Sequence, residues 1–201
     1  MSISSKDITA VILAGGRGKR LQGQDKGLVE LNHKPMVQHI IERLKPQIDT
    51  IIINANRNHT RYAAYGYPVI SDELSDFQGP LAGVASAMQS AKTSYILTLA
   101  CDAPLLPHDY VARMLKILNA SNHHDKTIVI AHDGKTLQTV HALIPVALLS
   151  NLQNYLTQGQ RKVELWYKQH HMEIADFSNY EDAFSNINTQ EQHQSIEQSS
   201  F

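Results

Sequence analysis

The sequence predicts an α/β domain whose sheet is mostly parallel and covered by helices on both faces. Three observations predict it. Short apolar runs rich in β-branched residues recur along the chain, as strands buried on both faces require. Stretches with apolar residues at helical spacing lie between them. Strand and helix therefore alternate through the first two-thirds, the pattern of a parallel sheet with helical crossovers.

Residues 8–14 form the first apolar run, which ends in Gly15-Gly16. A glycine-rich, basic loop follows, to Gly27. Val37, Ile40, Ile41 and Leu44 then fall at i, i+3, i+4 and i+7, one face of a helix that Pro46 stops. Residues 50–55 predict the second strand, followed by a polar helix or loop, and residues 68–71 the third. Gly79-Pro80 punctuates the chain before Leu81, Val84, Ala85 and Met88 repeat the helical spacing. Residues 94–100 predict a fourth strand, closed by Cys101-Asp102. Val111, Met114, Leu115 and Leu118 mark another helix. Residues 127–131 and 136–143 predict a hairpin around Asp133-Gly134, a strong turn dipeptide. Helices are expected near 147–156 and 161–168, and a late strand at 172–176. One domain over 1–188 and a polar, Gln-rich tail over 189–201 are expected.

Composition narrows the function. The chain has 201 residues, 42% of them hydrophobic, with a formal net charge of −1. The overall field therefore does not favour a polyanion, and no nucleic-acid partner is expected. Cys101 is the single cysteine, which suits a reducing compartment. The apolar runs are too short to span a bilayer and no signal peptide is read, so a soluble cytoplasmic protein is expected, with no membrane partner. The eleven histidines sit in polar segments without metal-ligand spacing and are expected at the surface. Cys101 reads as a small core residue rather than a nucleophile.

In open α/β sheets ligands lie beyond the carboxyl ends of the strands. There the chain presents Leu13, Ala14 and Gly15, then Asn54-Ala55-Asn56, then Asp72 and Glu73, then Cys101-Asp102. Polar strand ends are ordinary, but these four together supply donors, cations and carboxylates. Gly15, Gly16 and Gly18 let backbone N–H groups turn toward an anion, and Lys19, Arg20 and Lys26 add positive charge. The loop is neither a Walker A loop nor a dinucleotide fingerprint, since no Gly-Lys-Ser/Thr closes it and Leu21 stands where the third glycine would be. Glycines and basic residues alone fit a solvated surface loop equally well. Asp102 ends a buried strand ahead of Pro104 and Pro107, a stiff setting for an oxygen ligand to Mg²⁺. The bland reading, an N-cap for the next helix, fits Asp109 or His108 better.

The stretch Leu13-Ala14-Gly15-Gly16-(x3)-Arg20-(x4)-Asp25-Lys26-Gly27, with Leu31-(x2)-Lys34-Pro35-Met36, resembles the signature of nucleotidyltransferases built on a Rossmann-like sheet. Asn54-Ala55-Asn56, Asp72, Gly79-Pro80-Leu81-Ala82-Gly83 and Cys101-Asp102-Ala103-Pro104 resemble the molybdenum cofactor guanylyltransferases, the MobA family. So does Asp182-Ala183-Phe184-Ser185-Asn186-Ile187-Asn188-Thr189. The resemblance runs over 8–189. Departures stand at Leu21-Gln22-Gly23, His33, Ala100 and Gln190.

The resemblance implies a three-layer Rossmann-like fold and transfer of GMP from GTP to molybdenum-bearing molybdopterin, with pyrophosphate released. It implies that Leu13, Ala14 and Gly15 line the nucleotide site, that Lys26 meets the phosphates and that Asn54 and Asp72 meet the nucleoside. Asp102 would hold Mg²⁺, and Asn186 and Asn188 would lie on the pterin side. Arg20, Lys26 and Asp102 are the expected catalytic groups. Gly79, Pro80, Leu81 and Gly83 are expected to bring the chain close to the base. Molybdenum-insertion proteins and apo-molybdoenzymes are further implied partners. Transfer of another base, transfer to a sugar phosphate, and non-catalytic nucleotide binding are the alternatives.

Overall fold

The structure is a computed structural model that describes residues 2–14, 24–73, 79–180 and 182–185. Its strands are β1 (Ile8–Leu13), β2 (Glu30–Leu31), β3 (Lys34–Pro35), β4 (Ile51–Asn54), β5 (Val69–Ile70), β6 (Tyr95–Ala100), β7 (Thr127–His132), β8 (Leu137–Pro145) and β9 (His171–Asp176). Its helices are α1 (Met36–Leu44), α2 (His59–Ala63), α3 (Pro80–Ser90), α4 (Tyr110–Ala120), α5 (Leu149–Thr157) and α6 (Val163–Tyr167).

Seven strands make one sheet in the order β5-β4-β1-β6-β8-β7-β9. Every pairing is parallel except those of β8, which runs antiparallel to both β6 and β7. The reversal comes from the expected hairpin. Gly134 takes φ 91°, and the Asp133 carboxylate accepts the Lys135 and Thr136 N–H groups at 2.7 and 2.6 Å.

The apolar runs are explained by burial on both sides. Ile8, Ala10 and Ile12 of β1 pack with Val37, Ile40, Leu44, Val111, Met114 and Leu118 of α1 and α4. Val11 faces the other way, with Leu81, Val84 and Met88 of α3 and with Leu152 and Trp166 beyond. The period-2 alternation of the strands thus feeds two cores, one on each face of the sheet. This is the three-layer arrangement expected.

Two elements were illegible or only half legible. The polar stretch after β4 contains the short helix α2. The other is the two-stranded ribbon β2–β3, turned through Asn32 and His33 at φ 48° and 60°. Both central residues of such a turn need positive φ. His33 adopts it without being glycine, which is how this chain makes the turn at its departure from the family pattern. The 161–168 helix is shorter than expected, Val163–Tyr167, because Lys162 takes an extended conformation at its N-cap. Among the described residues no helix is long and apolar enough to cross a membrane.

One histidine corrects the surface expectation. His141, on β8, is 2% exposed. It shares its face of the strand with Leu143 and packs against Phe184 at 4.8 Å and Tyr110 at 6.3 Å between ring centroids. No local signal marks this, because the rings that bury His141 come from Tyr110 of α4 and from Phe184 after β9.

Candidate active site

The chain leaves β1 toward β4 and β5 on one side and returns to β6 on the other. That reversal opens a crevice beyond the carboxyl ends of β1 and β6. Leu13, the last residue of β1, stands opposite both Asn54 of β4 and Ala100 of β6. The Ala14 N–H donates to the Asn54 carbonyl at 2.7 Å, and the Cys101 N–H donates to the Leu13 carbonyl at 3.2 Å. The sheet's own ladders therefore bring Leu13, Ala14, Asn54 and the residues after Ala100 to one rim.

On the β4–β5 side, Asn54 is buried and donates through Nδ2 to the Asp72 carboxylate at 2.9 Å. Asn56 donates to the second Asp72 oxygen at 2.8 Å, while its own oxygen accepts the Asp72 N–H at 2.9 Å. Both amides thus hold Asp72 in one orientation. The next residue is tied to α3, since the Glu73 N–H donates to Ser86 Oγ at 3.0 Å. Asn56 and Ser86 were not among the expected site residues. Asn56 belongs to the motif Asn54-Ala55-Asn56, which by itself implies no role for it, and nothing in sequence signals Ser86.

The segment 79–83 does two jobs. Gly79 sits at φ 85° ahead of Pro80 and starts α3, both exposed, while Leu81 and Gly83 are buried. A Cβ on Gly83 would lie 2.5 Å from Asn54 Oδ1 and 3.0 Å from a Leu13 methyl. Gly83 therefore acts on the rim through Asn54 and Leu13, letting α3 press against the ends of β1 and β4. Gly83→Ala is expected to destabilise. Helix propensity favours alanine by about 1 kcal/mol, but overpacking costs about 1–3 kcal/mol. Displacement of Asn54 is expected to weaken nucleotide binding as well. A denaturant titration beside a GTP-binding isotherm checks both, and an unchanged isotherm would remove Asn54 from the site.

On the β6 side, Asp102 is 8% exposed and its Oδ2 accepts from Lys26 Nζ at 2.8 Å. These residues lie 76 positions apart. Lys26 comes from the turn Lys26–Leu28, and Asp102 from the stiff loop after β6, in which Ala103 and Pro104 are also buried. Asp102 does not cap α4; that position belongs to Asp109. Burial, with the neighbouring Asp102 and Asp25 carboxylates, pushes the Cys101 thiol well above its usual range. It stays protonated, which agrees with a core role rather than a nucleophilic one.

Among the described residues no group of three or more His, Cys, Asp or Glu side chains could hold a metal ion. Mg²⁺ needs no such group, being satisfied by one or two carboxylates with phosphate oxygens and water. Asp102 is a buried carboxylate at this rim whose Oδ2 is held by Lys26. Gly15, Arg20, Asn186, Asn188 and the tail 189–201 lie outside the described residues. An open cavity of about 530 Å³, between Gln24, Asp25, Glu30, Asn58 and Arg61, lies beside the rim and includes none of Leu13, Asn54, Asp72 or Asp102.

A mostly parallel sheet whose switch-point crevice joins a held carboxylate–amide group to a cation–carboxylate pair belongs to the Rossmann-like nucleotidyltransferases. Residues 10–173 match the MobA-like NTP transferase domain. The chain is 50% identical over 192 residues to a molybdenum cofactor guanylyltransferase of Shewanella loihica, covering 96% of each. It is 49% identical, with the same coverage, to one of Shewanella sediminis. The crystal structure of molybdopterin-guanine dinucleotide biosynthesis protein A from Archaeoglobus fulgidus superposes with a TM-score of 0.76 at 19% identity, covering 95% of this chain and 97% of that one. The chain belongs to the molybdenum cofactor guanylyltransferase family, and it is an enzyme of the nucleotidyltransferase class.

Proposed function

We propose that the crevice binds GTP with Mg²⁺ and transfers GMP to the terminal phosphate of molybdenum-bearing molybdopterin. An oxygen of that phosphate forms a bond to the α-phosphorus, the bond to the β-phosphate oxygen breaks, and pyrophosphate leaves. The observation that carries this reading is the Lys26–Asp102 pair at 2.8 Å beside the ends of β1 and β6. A phosphate nucleophile is already anionic, so no general base is needed. The work left to the protein is positioning and charge stabilisation.

In this reading Asn54 and Asp72 orient the nucleoside, with Leu13, Ala14 and the start of α3 beside it. In the free enzyme Lys26 neutralises Asp102. With nucleotide bound, Lys26 would turn to the phosphates and leave the Asp102 carboxylate available to a cation. Mg²⁺, when bound there, supplies Lewis-acid polarisation of the α-phosphoryl oxygen. Arg20 adds charge toward the leaving pyrophosphate, and Asn186 and Asn188 serve the pterin side. Residues 1–188 act as one catalytic domain. The reading places the enzyme in the cytoplasm, supported by a single cysteine that is buried. Molybdenum-insertion proteins and apo-molybdoenzymes are the partners it implies.

Guanine presents N1–H and N2–H₂ donors beside an O6 acceptor, whereas cytosine presents one amino donor. A rim built of held amides, carboxylates and backbone groups rejects a base that leaves them unpaired, by about 10² or more. Pyrophosphate release with molybdopterin as acceptor is therefore expected from GTP and not from CTP or ATP. Equal turnover with CTP would overturn the guanylyl assignment in favour of cytidylyl transfer.

A further inference from the structure

Asp25 stands one residue before Lys26 and is 8% exposed. A buried carboxylate persists only where it is paired and hydrogen-bonded. Its partners come from the segment 57–62, far away in sequence. The Tyr62 hydroxyl donates to Oδ1 at 2.6 Å, Asn58 Nδ2 donates to Oδ2 at 2.9 Å, and Arg57 Nε lies 3.6 Å from Oδ2. Arg57 also donates through Nη2 to the Gln24 carbonyl at 2.9 Å.

Two backbone features belong to the same arrangement. Asn58 takes φ 55°, a left-handed conformation that persists where the surroundings over-determine it. Gly27 is the second. A Cβ there would lie 2.6 Å from the Tyr62 hydroxyl and 3.3 Å from Cys101 Cβ. Glycine lets the turn pass between that hydroxyl and the end of β6. The Leu28 N–H donates to the Asp25 carbonyl at 2.9 Å and closes the turn. Lys26 thus lies between an anchored carboxylate and a wedged glycine, and from there its ammonium reaches Asp102.

We propose that Asp25 and Tyr62 are positioning residues for Lys26: their hydrogen bond, seated against Gly27, fixes the backbone that aims the Lys26 ammonium at Asp102 and at the bound triphosphate. The last clause rests on the function proposed above. Pre-organising a long, rotamer-rich lysine before substrate arrives removes an ordering cost from binding. An anchor that served folding alone would change stability and leave Lys26 where it is.

The test uses the full chain with Tyr62→Phe, which keeps the ring in the core, and Asp25→Asn. The first measurement needs no nucleotide. Lysine acylation by an amine-reactive ester is followed by mass spectrometry, with Lys34, paired to Glu42 at 2.8 Å, as internal standard. Acylation at Lys26 is expected to rise about tenfold relative to Lys34, as a lost charge-assisted hydrogen bond would give. The second measurement is GTP affinity in Mg²⁺, in the wild-type and Lys26→Ala backgrounds. A loss of about tenfold is expected in the first background and none in the second, because the effect passes through Lys26. A folded Tyr62→Phe variant with wild-type acylation at Lys26, or equal losses in both backgrounds, overturns the proposal. If acylation changes as expected while Lys26→Ala binds GTP normally, the positioning stands and the phosphate role of Lys26 fails. If Asp25→Asn does not fold, Tyr62→Phe decides.

Discussion

Asp102→Asn is expected to lower guanylyl transfer by about 10²–10³ while the protein stays folded. The substitution keeps the shape of the side chain and an oxygen that still accepts from Lys26, so the crevice has no reason to rearrange. What disappears is the negative charge. The stability lost with it should be moderate, about 1–3 kcal/mol, since the pair is partly buried but Lys26 keeps an acceptor and is 26% exposed. Under the proposed role the rate loss is larger, because a carboxylate that holds the cation would stabilise charge developing at the α-phosphorus. Turnover at saturating Mg²⁺ and GTP, set beside a thermal melt, separates the two effects. Near-normal turnover in a folded variant would remove Asp102 from the chemistry.

The second large effect concerns acid. Burial lowers the His141 pKa from 6.5 to about 3. Its Nδ1 has no hydrogen-bond partner among the described residues, and neither has the Tyr110 hydroxyl beside it. The folded state holds His141 neutral, whereas the unfolded chain takes up a proton below its ordinary pKa. The stabilising difference is therefore fully present above about pH 6.5 and is lost as pH falls toward 3. The slope is about 1.4 kcal/mol per pH unit, on the order of 5 kcal/mol across the window. That is a large share of the ~5–15 kcal/mol that holds a typical domain together. His141→Leu is expected to flatten this part of the stability–pH curve and to match or exceed wild-type stability at pH 7, because an unsatisfied buried nitrogen costs about 1–3 kcal/mol. Denaturant titrations of both proteins from pH 7 to pH 4 test it, with the difference between the curves isolating His141 from the carboxylates. Parallel curves would mean that His141 has no such linkage.

Much of the scaffold was legible because its signals are local. Residues 8–14, 50–55 and 94–100 are nearly all-apolar and rich in β-branched residues, as strands of a sheet covered on both faces require. Val37, Ile40, Ile41 and Leu44 spell a helix by spacing alone, and all four are buried in α1. Asp133-Gly134 announced the hairpin. The strand-end rule then pointed to Leu13, Asn54, Asp72 and Asp102 before their contacts were known. The β2–β3 ribbon escaped because its strands are two residues long and its turn uses His33 at positive φ, a conformation that this residue type does not advertise. His141 escaped for a different reason. Histidine is an ordinary surface residue in a hairpin strand, and the side chains that bury His141 arrive from Tyr110 and Phe184.

The sequence by itself determined the class of fold, through periodicity, and the family, through the resemblance of its motifs, because both are carried by short stretches of neighbouring residues. Only the tertiary structure decided how the groups at the strand ends meet. It set Lys26 on Asp102 across 76 positions, Tyr62 on Asp25 across 37, and Asn54 on Asp72 across 18. It also decided that Gly83 works from behind Asn54 and that one histidine belongs to the core. Such contacts depend on strand order and on which helix crosses which face. Those are settled by the burial of the whole sheet at once, and no local stretch of chain encodes them.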